Sequence, residues 1–223
     1  METSLHRQLK QIYADDGVDA EIEKPLGNYR IDVVRDGELI EIQHGSLAAI
    51  RSKIAALLKK HRVRVVKPIV SRKRLIKQTE RGGEVVSRRL SPKKGSILDL
   101  FQELIYFTSV FPHEHLELEA PLVEIEEWRF PGHGRRRRHR KNDLQVEDQK
   151  LVKINEIFHF RTTADLLQLL PADLPETFDT GHLAEGLGID RSDAQGIAYC
   201  LRKIGAFEEV GKRGNARLYR VSA

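Results

Sequence analysis

Asp32, Glu41 and Gln43 stand close together in the stretch YRIDVVRDGELIEIQ, residues 29–43. Asp36-Gly37 separates two alternating runs of β-branched and aliphatic residues, the sequence signal of a two-residue hairpin turn. Simple pairing around that turn sets Val34 opposite Leu39, Val33 opposite Ile40, Asp32 opposite Glu41, Ile31 opposite Ile42 and Arg30 opposite Gln43. Side chains alternate faces along a strand. One face therefore carries Ile31, Val33, Ile40 and Ile42, a core surface. The other carries Asp32, Glu41 and Gln43 beside Val34 and Leu39. Two carboxylates set directly opposite, with Cβ atoms about 5 Å apart, repel unless a cation lies between them.

Flanking elements must position this face. Residues 3–14 read as a helix with Leu5, Leu9 and Ile12 on one stripe. Glu2 extends that stripe inward, or else is a solvated acid favoured by the helix dipole. Ala20–Glu23 reads as a short strand and Pro25–Asn28 as a turn before the hairpin. Ser46 caps a second helix running to about Lys60, with Leu47, Ile50, Ile54, Leu57 and Leu58 on its apolar face. Lys53 flanks that face, either as a cation for the hairpin acids or as a surface residue. Arg62–Val70 reads as a further strand. The basic stretch Arg72–Leu90 reads as a second hairpin around Gly82-Gly83, Ile97–Phe107 as a helix presenting Leu98, Phe101 and Ile105, and Leu116–Trp128 as a strand. His113 and His115 bracket Glu114, the pattern of a metal-ligand pair, but read more simply as a polar loop after Pro112.

The order helix, hairpin bearing Asp32, Glu41-x-Gln43, helix, strand resembles the PD-(D/E)XK nuclease superfamily, the restriction-endonuclease-like fold, from about Glu2 to Val70. Ile31 replaces the family's proline and Gln43 its lysine, giving an E-x-Q form. The resemblance implies a divalent metal, magnesium or manganese, held by Asp32 and Glu41 with the Ile42 carbonyl, and Glu2 as the further acid of the first helix. Magnesium takes oxygen ligands; it polarises a phosphoryl oxygen and helps generate hydroxide. Gln43 returns to the same face as Glu41 and can hydrogen-bond the attacking water. Lys53 then supplies the cation that Gln43 lacks.

Pro131–Lys141 (PGHGRRRRHRK) breaks the composition. Gly, Pro and a dense Arg run read as a linker or exposed loop. Beyond it, helix, helix, turn, helix and β-hairpin follow over about residues 160–223, an order that resembles the winged-helix family. That resemblance implies duplex DNA binding: Arg191, Gln195, Tyr199, Arg202 and Lys203 from the third helix, and Lys212, Arg213 and Arg217 from the wing. Cys200 on the same helix reads as a core residue.

The expected fold is α/β (α+β): a mixed-sheet restriction-endonuclease-like domain (1–128), a basic linker (129–148) and a winged helix (149–223). The 223 residues, 40% hydrophobic, support real cores. A net charge of +5 favours polyanionic partners, though acids are abundant. One cysteine excludes an intrachain disulfide. No apolar run reaches bilayer length, and the N-terminus lacks the apolar core of a signal peptide. The expectation is thus a cytoplasmic DNA endonuclease, nucleoid-associated if bacterial, without membrane partners and with a homodimer left open. Its alternative is an inactive nuclease-like DNA-binding or regulatory protein.

Overall fold

The computed structural model describes residues 2–15, 19–132 and 143–222. It is a mixed α+β fold. Strands β1 (Glu21–Leu26), β2 (Tyr29–Arg35), β3 (Glu38–Ile42), β4 (Val63–Val66), β5 (Ile69–Gln78), β6 (Val85–Leu90), β7 (Leu116–Pro131) and β8 (Leu144–Phe160) form one mixed sheet. Its hydrogen-bonded order is β1-β2-β3-β4-β7-β5-β6, with β8 on β7. The chain divides into two compact units, the first comprising Met1–Asp36, Pro68–Ile97 and Ala120–Phe158. The second comprises Gly37–Lys67, Leu98–Glu119 and His159–Ala223.

In the first unit, helix α1 (Ser4–Asp15) packs on β1 and β2, and β1 pairs antiparallel with β2. Gly27-Asn28 makes the intervening turn, and the strand runs on through Pro25, which the sequence assigned to the turn. The inward face of α1 is rotated from the expected stripe: Leu5, Leu9, Lys10 and Tyr13 are buried, while Ile12 is 38% exposed. At about 100° per residue, this rotation brings Glu2, His6 and Lys10 onto the inner side. Asp148 of β8 closes the start of α1, accepting from the Ser4 amide at 2.8 Å and the Ser4 hydroxyl at 2.6 Å. β5 and β6 form the antiparallel hairpin predicted around Gly82-Gly83, and β5 runs parallel to the later half of β7.

In the second unit, β3, β4 and the first residues of β7 are parallel neighbours. The predicted strand Arg62–Val70 is divided at Lys67-Pro68, because proline has no amide for the ladder. Ser46 caps as expected, its side chain accepting from Ala48, but it caps a 3-10 turn (Leu47–Ala49) that leads into helix α2 (Arg51–Leu57). Helix α3 (Leu100–Leu104) is shorter than predicted and turns Leu100, Phe101 and Leu104 inward, not Leu98 and Ile105. Helices α4 (Thr163–Leu167), α5 (Thr180–Leu187) and α6 (Arg191–Lys203) precede the hairpin of β9 (Phe207–Arg213) and β10 (Ala216–Val221), in the expected order. Gly188, at φ 62°, ends α5 in the left-handed conformation glycine tolerates. α6 packs on α3, and the buried Cys200 thiol donates to the Phe101 carbonyl at 3.4 Å. Burial pushes that thiol up to about 12, so it is inert core.

Residues 129–131 and 144–148, read from sequence as linker, are strand residues of β7 and β8. The Arg135–Lys141 run lies outside the described residues. Among the described residues no helix is long and apolar enough to cross a membrane.

Asp179 holds the last segment together. It caps α5 through the Gly181 and His182 amides, at 2.8 and 3.2 Å, and takes the Arg213 guanidinium at 2.8 Å. Burial opposes its charge, yet these donors hold its pKa down to about 2. A depressed carboxylate contributes stability that is complete above its unfolded pKa and is lost as pH falls through the folded one. We expect about 2 kcal/mol to be lost between about pH 4 and pH 2, and Asp179→Ala to flatten that limb of the stability–pH curve measured by denaturant unfolding.

Candidate functional site

Asp32 lies on β2 of the first unit, its carboxylate 3.3 Å from His6 Nε2 of α1. The other ring nitrogen, Nδ1, is 2.8 Å from Glu2. Glu2 also pairs with Lys10, and Lys10 with Glu23, which in turn meets Arg30. Glu2 therefore reaches Asp32 through an imidazole and not as a bare second carboxylate. The Asp32 hydrogen bond raises the His6 pKa against the pull of burial, so the ring favours the imidazolium that can donate to both acids. Lys10 above all, with His6, lowers the pKa of Glu2. His6 escaped the sequence reading because the stripe was centred on Leu5 and Ile12. A helix face reading Glu2, His6, Lys10, with steps of four, was the available signal.

Glu41 lies on β3 of the second unit, with its side chain only 6% exposed. Lys53 of α2 pairs with it, the cation role that sequence reasoning offered. Ile42 is buried beside it. Gln43 ties itself to the chain: its amide N–H donates to the Val66 carbonyl at 2.8 Å, and its side-chain amide to the Ser46 carbonyl at 2.8 Å. The loop that follows is clamped by Lys67, which sequence reasoning did not single out. Its ammonium donates to the carbonyls of His44, at 3.1 Å, and Gly45, at 2.6 Å, and lies 3.3 Å from Glu103. The second Glu103 oxygen accepts the Leu47 amide at 3.0 Å. Burial lowers the Lys67 pKa, against the attraction of Glu103.

A second acidic group lies elsewhere in that unit. Ligand atoms of Glu117, Glu119 and His159 fall within 4.8 Å of one another. Arg64 bridges Glu38 and Glu119 at 2.9 and 3.1 Å, and Arg161 meets Glu117 at 2.8 Å. Burial would raise the Glu117 pKa, but hydrogen bonds from Arg161 and His159 bring it below its ordinary value. A divalent ion here would face two guanidinium charges, so the group acts as an ion-pair network. Its signal in the sequence was the alternation of Glu117 and Glu119 on β7.

Of the residues assigned to nucleic acid, Arg191, Gln195, Tyr199, Arg202 and Arg217 line a cleft of about 540 Å³ between α6 and the β9–β10 hairpin. Thr180, Asn215, Ala216 and Tyr219 complete it. Lys203 and Lys212 are exposed outside the cleft, the Lys203 ammonium 5.8 Å from the Tyr199 ring centroid. Arg213 is held by Asp179, a structural partner.

A family model described as "Domain of unknown function (DUF8091)" matches residues 3–161. A protein of Treponema pallidum (strain Nichols), described as "Uncharacterized protein", is 34% identical over 221 residues, covering 98% of this chain and 85% of its own length. No solved structure matches at a significant level.

The Lys67 clamp generates a stability prediction. Lys67→Met leaves two carbonyls and the Glu103 carboxylate without their cation, and breaking a buried pair from one side costs roughly 3 kcal/mol. Urea unfolding of the two proteins measures this; a loss below about 1 kcal/mol would show that the clamp carries little of the fold.

Proposed function

The chain belongs to the DUF8091 family, and we propose that it is a metal-dependent DNA endonuclease that hydrolyses phosphodiester bonds. The observation that carries this reading is the Glu41–Lys53 pair. In an E-x-Q arrangement the residue two after the acid brings no charge. Gln43 spends its side-chain N–H on Ser46, and Lys53 delivers an ammonium to Glu41 from the following helix. Acid and cation thus coexist in a nearly buried place, where electrostatic interactions are strong.

The donor set fits a hard divalent cation. Asp32 and Glu41 supply carboxylate oxygens, with His6 beside Asp32 and Lys53 beside Glu41. By the sequence resemblance, magnesium or manganese is assigned to these carboxylates and the Ile42 carbonyl. When bound, the ion supplies Lewis-acid activation of the phosphate and of water. Lys53 offsets the negative charge that grows on the phosphoryl oxygens during attack. Gln43, fixed between Val66 and Ser46, holds the loop beside Glu41 in place. Glu2 acts through His6, which it orients toward Asp32.

The α6 cleft supports duplex binding. Arg191, Arg202 and Arg217 suit phosphates, and Gln195 and Tyr199 stand on the exposed face of the helix where base edges are read in helix-turn-helix proteins. Element order in residues 163–221 supports a winged helix in this role.

Incubation of the full chain with supercoiled, linear and branched DNA tests the reading, with magnesium or manganese against chelator. Cleavage is expected only with metal, and Asp32→Asn and Glu41→Gln abolish it. Lys53→Met lowers kcat roughly 100-fold with DNA affinity retained. DNA binding without cleavage of any substrate overturns catalysis and leaves a nuclease-like binding protein.

A further inference from the structure

We propose that the edge of the β5–β6 hairpin is a second, sequence-independent contact for the phosphate backbone of duplex nucleic acid, apart from the α6 cleft. The inference rests on the reading that this chain acts on DNA. Residues 68–97 carry nine Lys and Arg side chains against two Glu, a local excess of +7, larger than the +5 of the whole chain. Arg72 is half-buried, and the fold divides the other eight by position. Lys73, Arg74 and Arg81 are matched by Glu127, Glu126 and Glu147 at 2.6, 3.5 and 3.9 Å. Lys77, Arg88, Arg89, Lys93 and Lys94 are exposed and enter no ion pair among the described residues.

The uncompensated group follows the outermost strand. β6 pairs with β5 alone, and all six of its residues are exposed. Arg88 and Arg89 lie at its centre, opposite Ile76 and Leu75, and so project to opposite faces of the ribbon. Guanidinium groups bind phosphate oxygens through paired N–H donors. An edge strand carrying them on both faces can follow a rod of regularly spaced phosphates without reading any base.

An anionic membrane is the other polyanion of this kind, and the composition speaks against it. Residues 68–97 contain no Trp, Tyr or Phe to seat in a bilayer interface. Central arginines also keep exposed strand edges from pairing with other chains. That role alone predicts changed solubility on their removal, with unchanged DNA affinity.

The experiment measures binding of the full chain to a fluorescent duplex of arbitrary sequence by anisotropy, in chelator, over a salt series. The double variant Arg88→Ala/Arg89→Ala is compared with Arg202→Ala/Arg217→Ala in the cleft. Each released phosphate contact removes about 0.9 from the slope of log K against log salt. The β6 variant is therefore expected to lose about 1.8 from that slope, equally on unrelated sequences, with its circular dichroism and thermal melt unchanged. A wild-type slope in the β6 variant overturns this inference alone, provided the wild type binds. Loss confined to phosphatidylserine vesicles, with DNA binding intact, overturns it in favour of a membrane. Failure of the wild type to bind DNA at all overturns both this inference and the proposed function.

Discussion

The cost of burying charge is the constraint on which this structure depends. An ion withdrawn from water costs several kcal/mol unless an opposite charge and hydrogen bonds replace the solvent. Lys10, Glu41, Lys67, Glu117, Glu119, Glu127 and Asp179 are all buried. Each has an opposite charge beside it: Glu2 and Glu23 for Lys10, Lys53 for Glu41, Glu103 for Lys67 and Arg161 for Glu117. Arg64 serves Glu119, Lys73 and Arg129 serve Glu127, and Arg213 serves Asp179. Apart from the Lys10–Glu2 contact, the partner comes from another stretch of chain, or from two residues along the strand at Arg129. The pairs therefore fix how elements meet as well as neutralising charge. Burial of apolar side chains favours collapse in many registers; a charge left unmatched penalises all but a few.

That constraint explains what was legible in the sequence. The Asp36-Gly37 turn was legible because φ of 50° and 77° at those positions is what such a dipeptide accommodates. Ser46 as a cap, Gly82-Gly83 as a hairpin tip and the order of the last five elements were legible for the same reason, since local backbone chemistry decides them. The face of α1 was not. Apolar periodicity pointed to Leu5, Leu9 and Ile12, whereas burial of Lys10 and the ties from His6 and Glu2 turn Tyr13 inward and Ile12 outward. Periodicity counts apolar residues and cannot see a charged side chain whose partner lies on another element.

The candidate site divides along the same line. Glu41 and Lys53 were readable, the first from the hairpin pattern and the second from its place beside an apolar stripe, because both signals lie within 13 residues of each other. Lys67 and Glu103 were not, since the pairing spans two segments and its purpose is to satisfy carbonyls of a third. His6 was lost through the misplaced stripe. Arg213 was assigned to DNA from its place in a basic wing, yet Asp179 occupies it. A cation's position on the surface says little about its availability until the acids near it are known.

Net charge is a poor guide to this molecule for that reason. The chain has 38 basic and 33 acidic residues, a balance that by itself attracts nothing strongly. Many of the acids are spent internally: Glu117, Glu119 and Glu127 on β7 are buried and already paired, and Glu124 and Glu126 on the same strand meet Lys153 and Arg74. Charges matched at contact distance cast little field beyond a Debye length of about 8 Å at physiological salt. The unmatched ones do, and among the described residues of the β5–β6 hairpin cations predominate over the two exposed acids, Glu80 and Glu84. Acid on β7 thus performs two tasks at once. It holds neighbouring strands in register, and by consuming selected bases it determines which of the remaining ones face outward with their charge intact.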